Sequence, residues 1–347
     1  MNIGQKIRQL RYKAGLTQEQ LADKLGIGPQ SVSKWENAVS MPDITTLPIL
    51  AETFGVSIDD LFDLSSEQHL NRIENSLDIN DELPQDLFRE YEDFLKAHLV
   101  DEQNKQRATS LLAYLYWHRM NSNAQKAARY AKDVIRMAPG EKDCQWVLTR
   151  AEGHSSWDWN TSNHTKAIEF WRGIVEENPD FRLPYYYLLD NLLADRRADE
   201  AENYLKQASR LPDASPVMVR VYQAHIALAR FDEKTADGII ENLVAAYPED
   251  IGCLFEAAQY YAKKCDYVKA IELYEESFEK ETRRPRFSDE LMGISDIYEI
   301  MGEYGKAAET QDRIIDLLEN EWGFTEDTGL EHARKEKARL LSKAKKA

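Results

Sequence analysis

A short polar stretch near the amino terminus carries side chains suited to contacting nucleic-acid bases. In the segment GPQSVSKWEN, Gln30, Ser31, Ser33 and Lys34 stand close together. Glutamine can pair with adenine in the major groove, lysine can reach guanine or a phosphate, and serine can contact either. These side chains can act together only if a folded element presents them on one face.

The sequence around this stretch predicts three short helices. Apolar residues at helical spacing indicate a first helix, which Gly15 ends as a C′ glycine does. Thr17, with Gln20 three residues later, matches a capping box and marks the start of a second helix. Pro29 suits the first position of a third helix, with Trp35 on its inner side and the polar side chains outside.

Four further segments, TQEQLADKLG, SVSKWEN, MPD and FGVSIDDLF, follow one another over the first 62 residues. Their order and spacing resemble the DNA-binding domain of the phage-repressor (Cro/C1-type, or XRE) family. The resemblance implies a five-helix domain that contains a helix-turn-helix, with a fourth helix from about Thr45 to Phe54 and a short fifth. It also implies a double-stranded DNA operator as partner.

The resemblance implies roles for individual side chains of this domain. Gln18 matches the family residue that fixes a backbone phosphate, and Asn37 matches a phosphate-contacting residue in the following loop. Arg11 and Glu36 match a pair that bridges the first and third helices. The predicted DNA-contacting residues are Thr17, Gln18, Gln30, Ser31, Ser33, Lys34 and Asn37. The alternative is that they form only the solvated face of a helical domain used for protein contact.

The charge distribution favours a nucleic-acid contact at one end only. The net charge is −17, yet residues 1–40 hold six basic and three acidic side chains. The remaining residues therefore carry −20, which disfavours general adhesion to nucleic acid. Residues 38–41 are Ala, Val, Ser and Met, where some members of the resembled family carry basic residues, so we expect a weaker phosphate contact there.

An alanine recurs through the rest of the chain at intervals of 40, 34, 35, 34 and 37 residues. The alanines are Ala127, Ala167, Ala201, Ala236, Ala270 and Ala307. A period near 34 with a helix pair per repeat resembles the tetratricopeptide (TPR) family, where a small residue lets two antiparallel helices approach closely. The prolines that follow three of these alanines by twelve residues would end second helices; they are Pro139, Pro179 and Pro248. We expect an all-α protein: a five-helix phage-repressor-like DNA-binding domain followed by a TPR-like α-solenoid.

Such a solenoid has a concave face lined by the first helix of each pair. The repeat register places there Tyr116, Arg119, Tyr186, Asp190, His225, Phe255, Gln259, Lys263, Asp296 and Glu299. This mixed, aromatic set suits a peptide or a partner helix, and Arg119 and Lys263 would favour an acidic group or the carboxylate terminus at one end of the ligand. The alternative is that the repeats only form a homodimer or pack on the DNA-binding heads.

These patterns predict a domain at residues 1–64, connecting helices at 65–104, repeats at 105–320 and a basic carboxyl-terminal helix at 321–347. An insertion at residues 154–163 contains Trp157 and Trp159, which either cover a ligand or pack over the neighbouring repeat. The last fifteen residues hold seven basic side chains and one acidic one. They suit a solvated helix end, with a second DNA contact as the alternative.

Patterns typical of enzymes are absent from the sequence. The seven histidines show neither HExxH nor zinc-type spacing with the three cysteines, and there is no Gly-rich phosphate loop and no GxSxG. We expect no enzyme activity, no cofactor and no metal. With no leader and no long apolar run, the chain is expected to be cytoplasmic. We expect a bacterial transcriptional regulator whose repeats dimerise or sense a peptide or protein, or else an interaction scaffold with the helix-turn-helix as DNA anchor.

Overall fold

The computed structural model describes residues 3–56, 58, 61–62, 66–140, 142–153, 163–325 and 327–346. Every regular element within these ranges is a helix, which confirms the all-α prediction. The chain forms two compact units, Met1–His154 and Ser155–Ala347. In the described ranges, no helix is both long and apolar enough to cross a membrane. The predicted tryptophan-containing insertion lies outside the described residues, except for residue 163.

Short helices form the amino-terminal part of the first unit. They are α1 (Ile3–Lys13), α2 (Gln18–Leu25), α3 (Pro29–Glu36), a 3₁₀ turn (Ile44–Thr46) and α4 (Leu47–Phe54). The predicted capping box is present: Gln20 N donates to Thr17 Oγ1 at 3.1 Å, and Thr17 N donates to Gln20 Oε1 at 2.8 Å. Leu21, Val32 and Leu50 are fully buried in one core. Of the predicted fifth helix, residues 57, 59 and 60 lie outside the described residues, while Leu61 is buried in the same core.

The rest of the first unit differs from the predicted repeat pattern. It comprises α5 (Ser66–Ile79), α6 (Gln85–Ala97), a 3₁₀ turn (His98–Val100), α7 (Lys105–Met137) and α8 (Lys142–Glu152). A helix pair was expected around Ala127, but the 33-residue α7 runs unbroken through this region. Leu111 and Leu115 of α7 belong to a core shared with α5 and α6, and Ser122, five positions before Ala127, is also buried. This packing, and the lack of Gly or Pro near Ser122, favours one continuous helix.

The described part of the second unit contains the helices α9 to α18. They are α9 (Thr165–Glu177), α10 (Arg182–Ala194), α11 (Ala198–Ala208), α12 (Pro216–Ala229), α13 (Glu233–Ala246), α14 (Ile251–Lys263), α15 (Tyr267–Lys280), α16 (Asp289–Ile300), α17 (Tyr304–Asn320) and α18 (Thr328–Ala344). Consecutive helices from α10 to α17 pack as four pairs, α10 with α11 through to α16 with α17. Sequential helix pairs of this kind are the arrangement of TPR-like repeats.

The four helix pairs share one turn geometry. Five positions before each repeat alanine, the backbone adopts a left-handed conformation, at Arg196 (φ 57°), Phe231 (φ 63°), Cys265 (φ 61°) and Gly302 (φ 78°). The alanines themselves have no exposed surface, as predicted for closely approaching helices; they are Ala201, Ala236, Ala270 and Ala307. The prediction is wrong for Ala127 and Ala167, which are half-buried. Helices α7, α9 and α13 end two residues before a proline, as predicted.

Candidate DNA-binding surface and ligand groove

The turn between α2 and α3 sets the orientation of α3. Gly26 ends α2 with a φ of 67°, and its N–H donates to the carbonyl oxygens of Ala22 and Asp23. A side chain would strain this left-handed conformation, so glycine suits the position. Gly28 then caps α3, with Pro29 as the first helical residue.

The outward face of α3 brings together three of the predicted DNA contacts. Gln30 and Lys34 are exposed one turn apart, which places them on the same helical face, and Ser31 beside them is half-buried. Ser33 and Asn37 instead meet at the carboxyl end of the helix, where Asn37 Nδ2 donates to Ser33 O at 2.9 Å. Asn37 therefore caps α3 and remains exposed to solvent.

A buried ion pair joins α1 to the end of α3, which confirms the predicted bridge. Arg11 Nε donates to Glu36 Oε1 at 2.6 Å and Arg11 Nη2 donates to Glu36 Oε2 at 2.9 Å; each residue is 5% exposed. Arg11 Nη1 also donates to Leu16 O at 2.7 Å, and Gln18 Nε2 donates to Glu36 Oε2 at 2.7 Å. Burial favours a higher pKa for Glu36, but the hydrogen bonds from Arg11 and Gln18 outweigh it and lower the pKa.

This network places Gln18 in the first turn of α2. The backbone N–H groups at a helix start favour a phosphate, so Gln18 lies where a phosphate-contacting side chain is needed. Thr17 caps the same turn and is exposed, although its hydroxyl oxygen already accepts the Gln20 N–H group. The two residues are therefore brought together at the start of α2, as the sequence suggested.

Tyr12 is a further candidate contact that the sequence patterns did not single out. It is 60% exposed, and its ring centre lies 4.5 Å from the Arg11 guanidinium carbon and 5.7 Å from that of Arg8. Hydrogen bonds from Arg8 and then Arg11 lower the pKa of the Tyr12 phenol. With Gln18 and Pro29, Tyr12 lines an open cavity of about 590 Å³ beside the start of α2. The sequence could have indicated this contact, because Tyr12 is an aromatic residue next to two arginines that lie three positions apart.

In the second unit, a cavity of about 670 Å³ lies between the inner sides of α10, α12 and α14; we call it the groove. Five of the predicted ligand-contacting residues line it, namely Tyr186, Asp190, His225, Gln259 and Lys263. Phe255, a sixth, lines a neighbouring cavity of about 410 Å³. Five of the eight concave-face positions predicted in this unit therefore line one cavity, whereas Phe255, Asp296 and Glu299 are not among its lining residues.

Two groove residues that the sequence did not identify shape its polar surface. Tyr222 donates a hydrogen bond from its hydroxyl group to Asp190 Oδ1 at 3.0 Å, and Glu256 lines both cavities. Burial raises the pKa of Tyr222, Asp190 and Glu256, and lowers that of His225 to about 4. The His225 imidazole is therefore neutral at pH 7. The repeat register predicted which residues face the groove, and it did not include Tyr222, which is largely buried.

Tyr116 and Arg119 are not among the residues that line this groove. Both lie on α7 of the first unit, where the Tyr116 hydroxyl group donates to Glu92 on α6. Arg119 Nη1 donates to Gln85 Oε1 at 2.8 Å, and its guanidinium carbon lies 4.2 Å from the centre of the Phe88 ring. Both residues contact α6. The repeat register could not predict these contacts because α6 precedes the predicted repeats.

Glu299 was predicted to face a ligand, but α18 binds it. Arg339 Nη2 donates to Glu299 Oε2 and Lys343 Nζ to Glu299 Oε1, each at 2.5 Å. These bonds lower the pKa of Glu299 to about 2, with Arg339 as the larger cause. The basic side chains of α18 are thus used in part for ion pairs, and Arg334 also pairs with Glu319 at 2.6 Å.

Comparison with known proteins places this site in a family. The helix-turn-helix family profile matches residues 7–61. The HTH-type transcriptional activator BcrR of Enterococcus faecalis is 40% identical over 68 residues, which are 20% of this chain and 32% of BcrR. An uncharacterized HTH-type transcriptional regulator of Archaeoglobus fulgidus is 33% identical over 63 residues, 18% of this chain and 90% of that relative.

The fold and the surface of α3 define a helix-turn-helix protein. The chain belongs to the family of HTH-type transcriptional regulators. It spans only about a third of the length of BcrR. Among solved structures, PlcR of Bacillus thuringiensis in complex with the peptide PapR7 and DNA covers 98% of this chain and 99% of PlcR, at 11% identity and a TM-score of 0.26. A similarity of that strength carries no argument about function.

Proposed function

We propose that this protein is a cytoplasmic, sequence-specific DNA-binding transcriptional regulator that acts by occupying an operator. The observation that carries the proposal is the outer face of α3, where Gln30 and Lys34 are exposed one turn apart beside Ser31. The inner side of α3 is fixed by the buried side chain of Trp35 and by the ion pair of Glu36 with Arg11. Polar side chains on a rigid helix of major-groove dimensions are suited to contacting base edges.

Binding to selected DNA tests this proposal. The purified chain is used to select binding sites from random duplexes, and Kd is measured for the wild type and for Gln30→Ala/Lys34→Ala. We expect the double variant to bind about a hundredfold more weakly, because two contacts of 1–3 kcal/mol each are removed. The matched control is Gln9→Ala/Lys13→Ala, which removes the same pair of side chains at the same spacing from the exposed side of α1.

Equal binding by the wild type and the α3 variant would contradict the proposal. Equal weakening by the α3 variant and the α1 control would also contradict it, because that result would indicate a general charge effect. Circular dichroism of each variant confirms that the helices remain folded.

We further propose that the protein binds as a homodimer to a pseudo-palindromic operator. One helix-turn-helix reads about half of a typical site, and Arg11 is used in a buried ion pair, which leaves few cations per head for phosphates. Sedimentation measures this directly with the full chain, free and DNA-bound. A strict monomer in both states would contradict the dimer.

We propose that the groove of the second unit holds a peptide that modulates DNA binding. Three successive first helices supply Asp190, His225 and Gln259 at similar register, so one extended ligand can contact all three along its length. Tyr186 and Tyr222 add aromatic surface beside these polar groups. If short peptides leave the thermal stability unchanged and a protein partner co-purifies instead, the repeats are an interaction scaffold with the helix-turn-helix as its DNA anchor.

A further inference from the structure

The polar side chains of the groove differ from those elsewhere in the second unit. Between the helices of the unit, charged residues form ion pairs, such as Lys264 with Asp237 at 2.6 Å and Arg313 with Glu275 at 2.6 Å. In the groove, His225, Glu256, Gln259 and Lys263 make no hydrogen bond or ion pair with any other residue of the described ranges. These side chains are thus available to a ligand, whereas those of the ion pairs are not.

Acidic groups predominate along the groove and the neighbouring cavity. The acidic residues that line them are Asp190, Asp250, Glu256, Glu281, Asp289 and Glu290. The basic ones are Arg196, Lys263, Arg283 and Arg286. Glu256 lines both cavities, so it lies where a ligand extending from one to the other would pass.

Most of the basic groups already have partners. Arg286 Nη2 donates to Glu321 Oε1 at 2.6 Å, Arg283 pairs with Glu281 at 3.5 Å, and the Arg196 guanidinium carbon lies 4.6 Å from the centre of the Phe231 ring. Within the described residues, Lys263 makes no ion pair, although its charge acts on Asp190 and Glu256 and lowers the pKa of each. A ligand in the groove therefore meets the carboxyl groups of Asp190 and Glu256 with the Lys263 ammonium group nearby.

The two carboxyl groups lie in surroundings that disfavour their charge. Burial is the main cause that raises the pKa of each, and it outweighs the nearby charge of Lys263, which lowers both; Asp190 adds a smaller increase for Glu256. Tyr222 provides Asp190 with one hydrogen bond, at 3.0 Å, while Glu256 has none from the described residues. A cation placed beside both would replace lost hydration and oppose their repulsion. The Tyr186 and Tyr222 rings, 5.3 Å apart, offer an apolar surface to the stem of a long basic side chain.

We propose that the groove selects a peptide with a basic side chain, whose ammonium or guanidinium group lies against Asp190 and Glu256. This inference rests on the proposed function of the groove as a peptide site and specifies its ligand. It replaces the expectation of an acidic group or a carboxylate terminus near Arg119 and Lys263, because Arg119 is bound to Gln85 on α6. Lys263 remains for a carbonyl or carboxylate group next to the basic side chain.

Peptide pools of fixed central charge test the inference with the full chain. Three pools of short peptides have random flanking positions and a central Lys, Gln or Glu, and binding is followed by thermal shift and by calorimetry. We expect the Lys pool to bind at least about tenfold more tightly than the Glu pool, since a desolvated charge pair contributes more than 1.4 kcal/mol. Glu256→Gln should remove most of this preference.

The matched control is Glu272→Gln, which removes the same charge from an exposed position of α15 outside both cavities. It should retain the preference of the wild type for the Lys pool. Peptide binding without a charge preference, or with a preference that Glu256→Gln leaves intact, would overturn the inference while the groove remained a peptide site. No binding of any pool would overturn both the inference and the proposed peptide function.

Discussion

The ion pair of Arg11 and Glu36 determines how well α3 is held, and its loss has a calculable effect. Arg11→Met removes three hydrogen bonds, two to the Glu36 carboxylate and one to Leu16 O. Glu36, 5% exposed, would keep only the bond from Gln18. Breaking one side of a buried ion pair costs about 3–5 kcal/mol, and the remaining Gln18 bond favours the lower end, about 3 kcal/mol.

Hydrogen exchange measured by mass spectrometry suits this prediction because it reports on each helix separately. We expect peptides from α1, α2 and α3 of Arg11→Met to exchange at least a hundredfold faster, as about 3 kcal/mol requires. Peptides from α10 to α17, in the other unit, serve as the internal control and should be unchanged. The double variant Arg11→Met/Glu36→Leu should recover most of the loss, because no carboxylate is then left buried without its partner.

The pH dependence has a definite sign. In the wild type the folded pKa of Glu36 is lowered, so the stability from the pair is present above the unfolded pKa and is lost as the pH falls. In Arg11→Met, burial without the guanidinium group raises the pKa of Glu36, and protonation relieves the unpaired charge. The difference between the two proteins should therefore shrink between neutral and acidic pH. A deficit below about 1 kcal/mol at pH 7, or one that grows on acidification, would show that the ion pair does not stabilise the helix-turn-helix in this way.

Two further predictions concern local contacts. Gly4→Ala should destabilise the helix-turn-helix by about 2 kcal/mol, because a methyl group at Gly4 would overlap the carbonyl oxygen of Trp35. Hydrogen exchange of α1 and α3 measures this effect, and an unchanged exchange rate would contradict the prediction. Glu299→Gln should destabilise the packing of α18 by about 1–2 kcal/mol at neutral pH. The lowering of the Glu299 pKa from an ordinary 4.5 to about 2 corresponds to a larger free energy, which we reduce because the ion pairs are partly exposed to solvent. Because the pKa of Glu299 is lowered, the wild type should lose this advantage between about pH 4.5 and 2, and a difference that persists in acid would count against the ion pairs with Arg339 and Lys343.

The helix-turn-helix could be predicted from the sequence because its signals are local. Thr17 and Gln20 encode a cap and Pro29 a helix start, and each was found as predicted. The close approach of α1 to α3 at Gly4 could not be predicted in this way. It joins residues more than thirty positions apart, and no pattern within either helix requires it.

The repeats show the same division between local and tertiary information. The alanine period located four helix pairs correctly, yet three of their four turns use left-handed residues that no local pattern marks, namely Arg196, Phe231 and Cys265. Around Ala127 the period predicted a helix pair, and the packing of α7 on α5 and α6 kept the helix continuous instead.

The groove was predicted from register, while its polar contacts were not. Five of its residues share the first-helix positions expected for a concave face. The bond from Tyr222 to Asp190 and the placement of Glu256 along two cavities depend on how neighbouring repeats pack. The repeat register predicts which side of each helix faces inward. It does not predict which side chains form hydrogen bonds, because those depend on the distances between neighbouring helices.

Base-by-base binding measures most directly whether α3 reads DNA. Kd is determined for a selected operator and for each of its single base-pair variants, with the wild type and with Gln30→Ala. We expect the wild type to discriminate by about 1–3 kcal/mol at the base pair that Gln30 contacts, and Gln30→Ala to lose discrimination there alone. If Gln30→Ala instead discriminates at every position as the wild type does, the outer face of α3 does not read the operator through Gln30.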